Sequence, residues 1–69
     1  MKSLQERQQK VTEGILKAFK ARYPHLMPQS DFETIWPASK WDMIHTETRS
    51  FDIELNYKTG KVINIQEFI

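Results

Sequence analysis

Residues 51–65, FDIELNYKTGKVINI, alternate apolar and polar side chains on either side of Thr59-Gly60. Strict alternation broken by a glycine-containing turn signal specifies a β-hairpin. Three-residue hairpin loops commonly run a type I turn into a glycine in the left-handed region. With Lys58-Thr59-Gly60 as that loop, Tyr57 pairs with Lys61, Leu55 with Ile63 and Ile53 with Ile65. Phe51, Ile53, Leu55, Ile63 and Ile65 then share one face, and Asp52, Glu54, Asn64 and Gln66 the other. A two-residue Thr-Gly loop would set Leu55 against Asn64 and Lys58 against Lys61. A one-residue slip exchanges the two faces, so burial selects the three-residue loop.

Upstream, WDMIHTE (41–47) reads as a third strand joined through Thr48-Arg49-Ser50. Trp41 and Met43 alternate in one phase and Ile44 lies in the other. Buried area favours Trp41 and Met43 facing inward. At the other end of the chain, Ser3-Leu4-Gln5-Glu6 has the S-x-x-E form of a capping box. Leu4, Val11, Ile15, Ala18 and Phe19 follow at helical spacing, with Leu16 and Tyr23 at the margins. This predicts an amphipathic helix over about residues 3–22, ended by Pro24, which disfavours helical geometry at the residue before it. Gly14 costs the helix roughly 1 kcal/mol relative to alanine, and close packing at that position would explain it.

Residues 24–40 hold all three prolines and no sustained periodicity. Phe32, Ile35 and Trp36 make this segment too apolar for a free linker, and SDFE is a second capping-box candidate. It reads as an ordered, lid-like connection covering one end of the core, with either a helical turn or a short edge strand over 32–36. Strands fall at about 41–47, 51–57 and 61–68. The chain is therefore a single small α+β domain over residues 1–69. One N-terminal amphipathic helix packs on a three-stranded antiparallel meander, since only the helix is available to cover the apolar face of the sheet.

LNYKTGKV (55–62) resembles the closing hairpin of PepSY-type domains, in which a strand ends in an aspartate, two variable residues and Thr-Gly before the final strand. Those domains also place a helix before a short antiparallel sheet. Asn56 stands where the family's aspartate usually sits, and asparagine can make the same turn contacts. The resemblance implies a non-catalytic regulatory or inhibitory binding module. It carries over no site residues, because the matched positions form the turn.

A domain of 69 residues without cysteine must find its stability in packing or in self-association. The missing cysteines also fit a reducing compartment. No segment approaches the roughly 20 apolar residues of a membrane span. With Met1 as the natural start, MKSLQERQQKVTEG lacks the apolar stretch of a signal peptide, which implies a cytoplasmic protein. His25 and His45 are the side chains that titrate near neutrality. His45 lies beside Asp42 and Glu47, but no nucleophile motif, phosphate loop or metal-ligand spacing accompanies either histidine. The expectation is a protein that is not an enzyme and uses no cofactor or metal.

Two binding surfaces remain. Phe32, Trp36, Trp41, Tyr57 and Phe68 exceed what so small a sheet obviously buries, and Trp and Tyr anchor protein interfaces. KVINIQEFI reads as an edge strand closing on Phe68-Ile69, open to strand addition by another protein or by a second copy. The leading expectation is a small protein-binding module, a regulator or inhibitor of a larger protein. The alternative is a nucleic-acid binder. Residues 1–23 carry a net +4 against −3 in the remainder, within a chain total of +1, and Arg7, Lys10, Lys17 and Lys20 could meet phosphates. Glu6–Lys10 and Glu13–Lys17, as i,i+4 pairs, would partly neutralise that face.

Overall fold

A computed structural model describes residues 3–68. Met1, Lys2 and Ile69, the last expected with Phe68 at an apolar chain end, lie outside the described residues. Helix α1 (Leu4–Arg22) precedes strands β1 (Trp41–His45), β2 (Ser50–Leu55) and β3 (Val62–Phe68). The strands form one antiparallel sheet in the order β1-β2-β3, the α+β arrangement expected.

Ser3 caps α1, its Oγ accepting from the Glu6 N–H at 3.2 Å, which is the forward half of the capping box. The helix stops at Arg22, where the Tyr23 N–H still donates to the Phe19 carbonyl at 2.8 Å. Glu6 in the first turn and Lys20 and Arg22 in the last oppose the helix dipole favourably. Val11, Ile15 and Phe19 are buried in the core, whereas Leu4, placed on the same stripe by its spacing, is exposed. Phe19 meets Phe51 edge-on at 4.9 Å between ring centroids, and Tyr23 lies 4.8 Å from Phe51. Such aromatic pairs contribute about 0.5–1.5 kcal/mol beyond the area they bury.

The hairpin departs from the simple register in an instructive way. The Asn56 N–H donates to the Lys61 carbonyl at 2.7 Å and the Gly60 N–H to the Asn56 carbonyl at 2.8 Å. The loop is thus Tyr57-Lys58-Thr59-Gly60, one residue longer than expected, and Tyr57 has no partner in Lys61. Asn56 holds it closed, its Oδ1 accepting from the N–H groups of Lys58 at 2.8 Å and Thr59 at 3.1 Å. The extra loop residue sets Leu55 opposite Val62 instead of Ile63. A bulge at Ile63 then restores the register, so Glu54 faces Asn64 and Ile53 faces Ile65 as expected. Val62 takes the inward place, and Ile63 is 59% exposed. Asn56, Thr59 and Gly60 build the turn.

β1 sits in the opposite phase from the one expected. Asp42 and Ile44 face inward, while Trp41 and Met43 are exposed on the outer face. The strand ends at His45, and a turn over Glu47-Thr48, closed by the Thr46 N–H to Arg49 carbonyl bond at 2.8 Å, leads into β2. Apolar area lost to a polar requirement. The Asp42 carboxylate accepts from the Thr34 hydroxyl at 2.5 Å and from the Ile35 N–H at 3.2 Å. These groups of the connection are buried or partly so and need an acceptor.

The connection is ordered, but residues 32–36 form neither a helical turn nor a strand. Trp36 is buried at its end. Its indole Nε1–H donates to the Tyr57 carbonyl at 3.1 Å, and its own carbonyl accepts from Gln8 Nε2 at 2.9 Å. Gly60 closes against it with φ +74°, and a Cβ there would stand 2.5 Å from Val11 Cγ2 and 3.2 Å from the Trp36 ring. The close approach expected at Gly14 belongs instead to Gly60, since a Cβ on Gly14 meets nothing within 4 Å.

The two glycines should therefore respond oppositely to alanine. Gly60→Ala meets both the positive φ and the clash, and is expected to destabilise by about 2 kcal/mol or more. Gly14→Ala should stabilise by up to about 1 kcal/mol through helix propensity. Urea unfolding followed by Trp fluorescence reads both. Equal effects would contradict the packing described at the hairpin.

Candidate protein-binding surface

A single helix covers one side of the sheet and leaves the other open. On the open face three cross-strand rows lie side by side: Trp41–Glu54–Asn64, Met43–Asp52–Gln66 and His45–Ser50–Phe68. Trp41, Met43 and Phe68 are exposed there around the two carboxylates of β2. Trp41 and Phe68 occupy opposite corners. Tyr57 is 72% exposed in the hairpin loop, beyond the Trp41 row.

The five aromatics expected at an interface therefore do not form one patch. Trp41, Tyr57 and Phe68 are exposed, Phe32 is half-buried against the core, and Trp36 is removed from any surface by its burial. Trp36 finishes the core because its indole and backbone find partners on two other elements. Met43 and Ile63 join the exposed set. Both were expected inward, and only the Asp42 requirement and the four-residue loop put them outside.

The two edges of the sheet differ. Antiparallel pairs alternate between hydrogen-bonded and non-hydrogen-bonded positions. The bond from the Leu55 N–H to the Lys40 carbonyl at 2.7 Å places Leu55, Ile53 and Phe51 toward β1, and so Asn56, Glu54, Asp52 and Ser50 toward β3. The backbone of Asn64, Gln66 and Phe68 then bonds β2, and that of Ile65 and Glu67 points to the outer edge. On β1, the corresponding outer carbonyl of His45 accepts from the Gln29 N–H at 3.0 Å. Among the described residues no backbone group is bonded to the outer edge of β3. The edge expected to be open is open.

The basic helix is less organised. The Arg7 guanidinium lies over the Trp36 ring, 5.1 Å from its centroid, so Arg7 serves the hydrophobic lid. Lys10 and Lys17 share a stripe, and Lys20 is turned further round the helix. The expected pairs Glu6–Lys10 and Glu13–Lys17 are not closed. Among the described residues the one salt bridge is Arg49–Glu67 at 3.9 Å. A groove of about 360 Å³ runs between this side of α1 and the start of β3.

His45 and Asp42 lie on opposite faces of β1, which separates the acid from the imidazole beside it in sequence. His45 Nδ1 is instead 2.8 Å from Ser50 Oγ on the open face. Among the described residues no carboxylate bonds that imidazole, and no three His, Asp or Glu side chains are placed to hold a metal ion. Among them too, no helix is long and apolar enough to cross a membrane. Comparison with family models, curated proteins and solved structures finds no match to the chain.

Amide hydrogen exchange along β3 should alternate if this edge is free. The N–H groups of Gln66 and Phe68 are expected to exchange slowly, and those of Ile65 and Glu67 fast, despite the burial of the Ile65 side chain. Uniform protection along the strand would show that the edge is already paired.

Proposed function

We propose that the chain is a small non-catalytic protein-binding module, a regulator or inhibitor of a larger protein, that takes up an additional strand along the outer edge of β3. The observation that carries this reading is the unpaired edge itself. Its N–H and C=O groups at Ile65 and Glu67 are a template for another chain, and the exposed Ile63 and Phe68 supply apolar contacts at either end. Edge strands are commonly guarded by charge or by a covering segment. Here the connection guards β1 by way of Gln29, whereas among the described residues β3 has its bulge and the single charge of Glu67, already paired with Arg49. The resemblance of the hairpin to PepSY-type domains points to the same class of role. A second copy of the chain would satisfy the edge as well as a different protein would.

A second reading has an observation in its favour. Among the described residues no helix lysine is in a salt bridge with a glutamate, which leaves Lys10, Lys17 and Lys20 free to track a phosphate backbone. Nucleic-acid binding would then be steeply salt-dependent and weakened by changing these three to alanine.

Glu67→Pro tests the leading reading, because it removes an outward N–H and leaves the β2–β3 ladder intact. Sedimentation velocity should show wild-type mass rising with concentration, or its Ile65 and Glu67 amides gaining protection in host extract. The Glu67→Pro chain should show neither effect at an unchanged melting temperature. A wild-type protein that remains monomeric, with edge amides unprotected in extract, would contradict the proposal.

A further inference from the structure

The open edge of β3 is not isolated. Beside it lies the groove between α1 and the hairpin, floored by Val11, Gly14, Ala18 and Val62 and rimmed by Lys10 and Lys61. A strand added to β3 would run under this flank of the helix. The side chains on its inner face would enter the groove at Gly14, where there is open space within 4 Å of where a Cβ would stand. Apolar residues suit the floor. Polar ones, at every second position, would remain on the open face beside Asn64 and Gln66.

The charge of the slot is one-sided. The lining includes two lysines and no carboxylate. Lys17 lies on the same stripe as Lys10, and neither is in a salt bridge among the described residues. The flank therefore attracts an anionic partner. The edge decides which kind of anion. Ile65 and Glu67 each present a donor and an acceptor, and an extended peptide pairs both, whereas a phosphate backbone offers acceptors alone and would leave the carbonyls unmatched. On the strand-addition reading above, we infer that the slot between α1 and β3 receives an extended acidic segment of another protein. Apolar residues on its inner face seat over Gly14 and Ala18, and carboxylates on that same face, flanking the apolar pair, meet Lys10 and Lys61 at the rim.

The probe is a short fluorescein-labelled peptide, Glu-Thr-Val-Thr-Val-Thr-Glu, whose Val and Glu side chains share one face, with the same peptide carrying Lys in place of Glu as control. Fluorescence anisotropy should show binding of the acidic peptide only, weakening as salt is raised. The double change Lys10→Glu with Lys61→Glu should weaken it about tenfold or more. Gly14→Leu fills the groove with a good helix former and should abolish binding while the melting temperature is kept or raised. Ile65 and Glu67 amides should gain protection in the complex.

Equal binding of the basic peptide, or binding indifferent to Gly14→Leu, would overturn the inference. Duplex DNA bound in place of the acidic peptide, and lost on the same lysine changes, would overturn it in favour of the phosphate reading. Failure of both peptides alongside self-association that Glu67→Pro abolishes would also overturn it, and would leave the β3 edge as a site for a second copy.

Discussion

The Asp42 carboxylate, turned into the molecule from an edge strand, is the constraint on which the rest of this fold depends. Through the Thr34 hydroxyl and the Ile35 N–H it ties the connection to β1. Thr34 Oγ1 passes the constraint on by accepting from the Trp36 N–H at 3.1 Å, and the Thr34 N–H donates to Thr12 Oγ1 at 3.1 Å. The Thr12 hydroxyl donates to the Gln8 carbonyl at 2.9 Å, and Gln8 Nε2 returns to the Trp36 carbonyl. A chain of polar contacts thus joins strand, connection and helix around one tryptophan. Among the described residues no buried side-chain nitrogen or oxygen lacks a partner, which a network at this depth requires if it is to stabilise rather than weaken the core.

Trp36, held in this way, closes the end of the core that one helix cannot reach. Gly60 must come within van der Waals range of its ring, which fixes the hairpin loop against α1. The same arrangement determines what stays uncovered. With the connection committed to β1, nothing among the described residues lies along the outer edge of β3 or across the open sheet face. The candidate binding surface is the remainder left by a small core that spent its one lid elsewhere. Its chemistry divides accordingly, with carboxylates on the open face and lysines along the helix flank that borders the free edge.

Much of this architecture was legible in the residues. The Ser3 cap, the stop before Pro24, the meander and the pairing of Ile53 with Ile65 follow from capping chemistry, proline sterics and period-two burial. The details that escaped share a cause. Counting apolar area put Trp41 and Met43 inside, because area takes no account of backbone groups in a distant connection that need an acceptor. Loop length was set by matching Leu55 to Ile63, although Asn56 is a residue that closes turns on its own side chain, and a bulge can absorb the difference. Those two errors hid Met43 and Ile63 from the surface. Trp36 fitted both the lid and the interface on sequence alone, because the partners of its indole and carbonyl come from Tyr57 and Gln8, and no local pattern links them. Phe68 and the open β3 edge were legible because terminal strands have one neighbour.

The most direct test of the central constraint is a double-mutant cycle on Thr34→Ala and Asp42→Ala, measured by urea unfolding with Trp36 burial followed by near-UV circular dichroism. Groups sharing a hydrogen bond in one network are expected to couple by about 1 kcal/mol or more, each single change also loosening the Trp36 signal. Additive losses, agreeing within about 0.3–0.5 kcal/mol, with the tryptophan signal unchanged in the Asp42→Ala chain, would contradict the claim that this carboxylate positions the lid.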